Sequence, residues 1–177
     1  MTFPPTFETL QAHHNRQDFD CSKSALNDFF QKQARQNADR NVGVTHVAVE
    51  HSGASAVLAY YTLVTRVVNS AIIPGKKLPR GDVGVVLLGR LAVDQRQQKR
   101  GIGRLCLTRA MLQVERSARD IGIHALVLNA KDDAARDSYL KLGFGFTTLL
   151  DDPNHLYLPV ETIRQLVNEL DKIDSSE

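Results

Sequence analysis

Apolar positions recur at helical spacing early in the chain. Leu26, Phe29, Phe30 and Ala34 fall on one face of an amphipathic helix predicted over 24–37, with Ser24 as its cap. The pattern then changes to short apolar runs. Thr45–Val49 and Ala56–Val64 read as strands joined across a Ser52-Gly53 turn. Residues 69–82 are broken by Pro74-Gly75, Pro79 and Gly81 and read as a loop. Val83–Val93 is a nearly continuous apolar run, broken by Gly89 and Arg90, which is the pattern of a central strand buried on both faces. The interior Gly89 predicts a bulge or a close backbone approach.

A glycine-rich turn at 98–103 leads into a helix to about Arg119, striped by Leu107, Ala110, Met111, Val114 and Ala118. Ala125–Ala130 is a further buried strand. Asp133–Leu142 is a short helix that stops at Gly143. Phe144–Leu149 and His155–Leu158 form a last strand pair, Thr162–Leu170 a terminal helix, and the residues after it are expected to fray. Alternating strands and helices imply a layered α/β domain. A chain of 177 residues suits a single domain over 1–177 with one real core.

Composition adds little: 42% hydrophobic and 24% charged is ordinary for a globular chain. No apolar run reaches the roughly 20 residues of a membrane helix. The opening Met-Thr-Phe-Pro-Pro lacks a basic region followed by an apolar stretch, so a cytoplasmic location is expected. Cys21 and Cys106 suit a reducing compartment and are expected as small buried residues. The six histidines (His13, His14, His46, His51, His124 and His155) show no metal-ligand spacing, so surface or structural roles and no metal are expected.

Charge changes the picture. Net charge is only +2, yet residues 60–110 hold ten Lys or Arg against two acids, Asp82 and Asp94, while 131–177 is net acidic. Such asymmetry points to an anionic ligand on the middle of the chain. The basic residues surround one informative stretch, Leu-Gly-Arg-Leu-Ala-Val-Asp-Gln-Arg-Gln-Gln-Lys-Arg-Gly-Ile-Gly-Arg at 88–104. A buried strand enters a short basic turn, and the turn opens a helix. Gly101 and Gly103 let backbone amides approach a ligand, and the helix start offers unpaired N–H donors at the positive end of its dipole. Together these make a pyrophosphate cradle, with Lys99, Arg100 and Arg104 around it. G-x-x-x-x-G-K-[ST] is absent, as is G-x-G-x-x-G with an acid about 20 residues on, which disfavours nucleotide-hydrolase and dinucleotide folds.

Gln98-Lys99-Arg100-Gly101-Ile102-Gly103 resembles the Q/R-x-x-G-x-G/A element of the GNAT acetyltransferases. Downstream, Asn129 to Phe144 resembles that family's strand, its tyrosine-bearing helix and the Gly-Phe that follows. The resemblance implies a mixed central β-sheet splayed between its two middle strands, with helices on both faces. It implies acetyl-coenzyme A as co-substrate. Leu91, Ala92, Val93, Gln98 to Arg104 (Ile102 included) and Asn129 would bind it, and Tyr139 would lie near the thioester sulfur as the acid. A phenol of pKa ~10 is protonated at neutral pH and can protonate a departing thiolate. The bland role for Tyr139 is packing beside Phe144.

Phe19-Asp20-Cys21-Ser22, Ala25 to Phe29, Gln33 to Asn37, Leu88 to Asp94 and Leu156 to Pro159 also resemble GNAT toxins of bacterial toxin–antitoxin pairs, covering roughly residues 19–166. Ser22 stands where that pattern has glycine. The resemblance implies acetylation of the α-amine of aminoacyl-tRNA, a block of translation, a small ribbon-helix-helix antitoxin and a homodimer. The residues lend independent support. Val85–Val93 carries no acid that could act as a base. An α-amine is neutral in at least ~10% of molecules at pH 7, against under ~0.1% for lysine. Arg66, Lys76, Lys77 and Arg80 lie outside the loop and suit an RNA backbone. Arg90 interrupts an apolar strand and is expected to touch substrate or RNA. The alternatives are an acetyltransferase of a small amine or protein N-terminus, and a non-catalytic acyl-coenzyme A- or RNA-binding regulator.

Overall fold

The computed structural model describes residues 4–75 and 77–174. The chain forms two compact units, Met1–Val64 with Leu88–Ala110, and Thr65–Leu87 with Met111–Glu177. Its strands make a seven-stranded mixed sheet in the order β1-β2-β3-β4-β5-β7-β6.

In the first unit, β1 (Thr6–Thr9) pairs antiparallel with β2 (Val44–Val49), and β2 with the first part of β3 (Val57–Asn69), with a bulge at Ala48/Val49. The expected helix over 24–37 is two helices, α1 (Ser24–Lys32) and α2 (Ala34–Asp39). At Gln33 the backbone is distorted at φ −120°, ψ −30°, and Ala34 just beyond it lies wholly in the core with Phe29 and Phe30. No glycine or proline marks that break. Ser24 is not the cap: Lys23 holds that position without a side-chain cap bond. Phe30 stacks on Tyr60 at 4.4 Å, and Phe19 meets both rings edge-on. Burying one such phenylalanine contributes about 1.5–3 kcal/mol. The Tyr60 hydroxyl donates to Leu26 O at 2.8 Å, tying α1 to the sheet.

In the second unit, the start of β4 (Asp82–Val93) runs parallel to β5 (Ala125–Asn129), from Val85↔Ala125 to Leu87↔Val127. β5 pairs antiparallel with β7 (His155–Pro159), and β7 with the two-residue β6 (Thr147–Thr148). Val68, Ile73, Val85, Val127, Leu149 and Tyr157 form its core. α4 spans Asp133–Leu140, two residues shorter than expected, and Gly143 follows it at φ +80°. α5 spans Val160–Asp174, longer at both ends than the expected Thr162–Leu170, so residues 171–174 are helical where fraying was expected; residues 175–177 lie outside the described residues. α3 spans Ile102–Ser117.

The sequence misplaced two features of β4. The strand is not buried on both faces along its length. Leu88 and Ala92 are buried, whereas Gly89 is exposed and Leu91 and Val93 are half-buried. Gly89 also has no tight approach: a Cβ there would sit 3.8 Å from Val64 Cγ2, an ordinary contact. The tight approach is at Gly84, where a Cβ would stand 2.7 Å from the Gly122 carbonyl oxygen.

Candidate active site

The first unit carries the phosphate-type loop. β4 ends at Val93, Gln95–Gln97 form one 3-10 turn, and α3 opens at Ile102. Lys99 (φ +61°) and Gly101 (φ +79°) are both left-handed, with Arg100 between them outside that region. This alternation turns successive amides toward one side, the arrangement that receives anions. Ile102, wholly buried, plugs the loop into the core, while Gln98, Lys99, Arg100, Gly101 and Arg104 are exposed. Arg100 donates to Gln97 Oε1 at 2.7 Å.

A Cβ on Gly101 would meet nothing within 4 Å. One on Gly103 would reach Val93 Cγ2 at 3.5 Å and Leu91 Cδ2 at 3.8 Å. Packing therefore forbids a side chain at neither position. The glycines leave bare backbone beside the half-buried Leu91/Val93 strip. Coenzyme A needs N–H donors and cations for its diphosphate and an apolar strip for its pantetheine arm, and these residues offer both.

Arg90 points to the other face of β4. Its guanidinium lies 3.8 Å over the ring of buried Phe29, a cation–π contact, and no acid pairs with it among the described residues.

The second unit carries Tyr139, near the end of α4. Asp132 caps this helix by accepting from Ala135 N at 2.8 Å, and Arg136 ties it to Asn154 Oδ1 at 3.4 Å. The Tyr139 ring is half-buried and meets Phe146 edge-on at 6.0 Å. Among the described residues none hydrogen-bonds its hydroxyl. Burial raises its pKa above the ordinary 10.0, so the phenol holds its proton throughout the neutral range. Asn129 ends β5, exposed. Arg66, Lys77 and Arg80 are exposed; Lys76 lies outside the described residues.

The sequence reading passed over the residues that hold the loop. Asp94 is 1% exposed and accepts from Arg96 N, Nε and Nη2 and from Asp20 N. Burial pushes its pKa up, but the Arg96 and Asp20 hydrogen bonds outweigh that and hold it below the ordinary range. The available signal was an acid inside a strongly basic stretch, placed where strand becomes loop.

Glu8, His13 and His14 also gather, each offering a ligand atom within 4.8 Å of the others. The His14 Nδ1 accepts from Gln11 N at 2.8 Å, which places the ring proton on Nε2, 2.9 Å from Glu8 Oε1. A metal at Nε2 would have to break both bonds, so these residues favour a hydrogen-bonded pair. Cys21 and Cys106 are both buried and free. Cys21 donates to Asn27 Oδ1 at 3.1 Å, and burial pushes the Cys106 thiol up to about 12.

The fold, the loop and the tyrosine helix define an acyl-coenzyme A-dependent transferase. The chain belongs to the acetyltransferase (GNAT) family, whose model matches residues 8–144. It is 31% identical over 154 residues to a tRNA-acetylating toxin of Mycobacterium tuberculosis, covering 85% of this chain and 89% of that one. Among solved structures, it matches AtaT complexed with acetyl-methionyl-tRNAfMet with a TM-score of 0.84 at 30% identity, over 92% of this chain and 98% of that one. It also matches a tyrosine-to-phenylalanine variant of the AtaT toxin bound to acetyl-coenzyme A and the C-terminus of the antitoxin AtaR. The TM-score is 0.78 at 28% identity, over 92% and 97% of the two chains. No described helix is long and apolar enough to cross a membrane.

Proposed function

We propose that this protein is a toxin that transfers acetyl from acetyl-coenzyme A to the α-amine of aminoacyl-tRNA and so blocks translation. The observation that carries the reading is the left-handed alternation at Lys99 and Gly101, ahead of a 16-residue helix and beside an apolar strip. The likeness to a tRNA-acetylating toxin and to a tRNA-bound toxin supports the acceptor.

In this reading the amides of 99–103 receive the diphosphate, with Gln98, Lys99, Arg100 and Arg104 around it, Ile102 anchoring the loop and Gly101 and Gly103 leaving room. Leu91, Ala92 and Val93 line the pantetheine arm, with Asn129 contributing from β5. Bound acetyl-coenzyme A supplies a thioester whose carbonyl carbon the acceptor amine attacks. Tyr139 holds a proton at Oη and gives it to the departing sulfur as the new amide forms. The amine's own proton leaves to water, since residues 85–93 hold no carboxylate. Arg66, Lys76, Lys77 and Arg80 contact the tRNA backbone. Arg90, held over the Phe29 ring, contacts the aminoacyl end. The whole chain acts as one acetyltransferase domain, in the cytoplasm, as a homodimer restrained by a small ribbon-helix-helix antitoxin.

A cell-free translation reaction tests this. Synthesis should stop only when the protein and acetyl-coenzyme A are both present, and should recover when fresh aminoacyl-tRNA is added. Arrest without acetyl-coenzyme A, or continued synthesis with both, contradicts it.

A further inference from the structure

The loop's geometry is costly by itself. Lys99 is left-handed without being glycine, and so is Ser22 (φ +66°). Such residues persist only where their surroundings over-determine them. One set of hydrogen bonds lies between the two. Asp20 Oδ1 accepts from Ser22 N and from Asn27 Nδ2, both at 2.8 Å. Asp20 O accepts from Gln95 N at 2.8 Å, and Asp20 Oδ2 from Gln95 Nε2 at 3.2 Å. Asp20 N donates to buried Asp94 Oδ2 at 3.2 Å, and Arg96 closes on the same carboxylate. Gln98 then donates back to Val93 O at 3.1 Å. The chain is thus pinned at 94, 95, 96 and 98, and the next residue is Lys99.

We infer that the Asp20–Asp94 joint is a positioning device for the phosphate loop: it sets the affinity for the donor's diphosphate without touching the donor. This rests on the reading of residues 98–104 as the diphosphate site. The joint couples an N-terminal turn, 70 residues or more away in sequence, to the aim of the loop amides. Neither carboxylate is a catalytic residue. Both act through the backbone of 95–99.

The test compares two acetyl donors on the same acceptor: acetyl-coenzyme A, and S-acetylpantetheine, which lacks the diphosphate. The variants are Asp94→Asn and Asp20→Ala, the second on an exposed side chain so that one of the pair keeps its fold. Each should lower kcat/KM with acetyl-coenzyme A about tenfold, through KM, the effect of losing hydrogen bonds to a charged group. Each should leave kcat/KM with S-acetylpantetheine unchanged. An equal fall with both donors overturns the proposal, because it means general damage to the site. No fall with either donor overturns it as well. If the unaltered protein itself uses the two donors equally well, the diphosphate reading of the loop fails, and the positioning role with it.

Discussion

Ser22 shows how a single residue can be legible in kind yet not in cause. The family pattern has glycine there, and the structure supplies the reason: the backbone is left-handed at φ +66°. Serine accepts that conformation because its amide is held by Asp20 and its hydroxyl donates to Gln95 Oε1 at 3.1 Å. Ser22→Gly loses the hydroxyl bond but also the Cβ penalty, whereas Ser22→Ala loses the bond and keeps the penalty, so Ser22→Ala should be the less stable of the two by about 1 kcal/mol, read as a lower midpoint in thermal unfolding. Tyr139 was legible from its place before Gly143-Phe144, but its surroundings were not. The ring packs on Phe146, and burial keeps the phenol protonated. Tyr139→Phe preserves that packing and removes only the hydroxyl. It should lower kcat by about 10²–10⁴-fold while leaving the KM for acetyl-coenzyme A nearly unchanged. A change confined to KM would make Tyr139 a binding residue.

At the scale of elements, periodicity located most helices and strands of the middle and end of the chain because their apolar spacing is regular, but the strand expected over Phe144–Leu149 is only Thr147–Thr148. Periodicity failed where tertiary packing sets the backbone. β1 escaped notice because Thr6-Phe7-Glu8-Thr9 is an edge strand with little apolar character. The break at Gln33 escaped because no glycine or proline marks it and the apolar spacing runs on through Ala34. In β4 the close approach expected at Gly89 falls instead at Gly84, since a glycine's neighbours belong to other segments. That difference is measurable. Gly84→Ala drives a Cβ into the Gly122 carbonyl and should destabilise the protein by about 1–3 kcal/mol. Gly89→Ala, with ordinary contacts around its Cβ, should cost less than Gly84→Ala in the same denaturant titration. Equal costs would contradict the contact geometry.

For the whole molecule, the uneven charge was the most useful feature of the sequence. It directed attention to 60–110 and to an anionic ligand, and the exposed Arg66, Lys77, Arg80, Lys99, Arg100 and Arg104 all lie in that stretch. What charge counting could not show is which ionisable groups are buried. His46 stacks on Tyr61 at 5.1 Å; burial, helped by Arg109, lowers its pKa from 6.5 to about 4. Between those values the unfolded chain binds a proton that the folded chain does not. Stability should therefore fall as pH drops from about 6.5 to about 4, by about 3 kcal/mol for a shift of this size. His46→Gln should flatten that slope in denaturant titrations across the range, and an unchanged slope would assign the acid sensitivity elsewhere.

The central claim concerns the acceptor. Labelled acetyl from acetyl-coenzyme A should be followed into a mixture of aminoacylated tRNAs, with deacylated tRNA and free amines as competitors. The account predicts label on the α-amine of the charged tRNA, none on deacylated tRNA, and its loss with Tyr139→Phe. Label accumulating on the free amines while charged tRNA stays unmarked would contradict it.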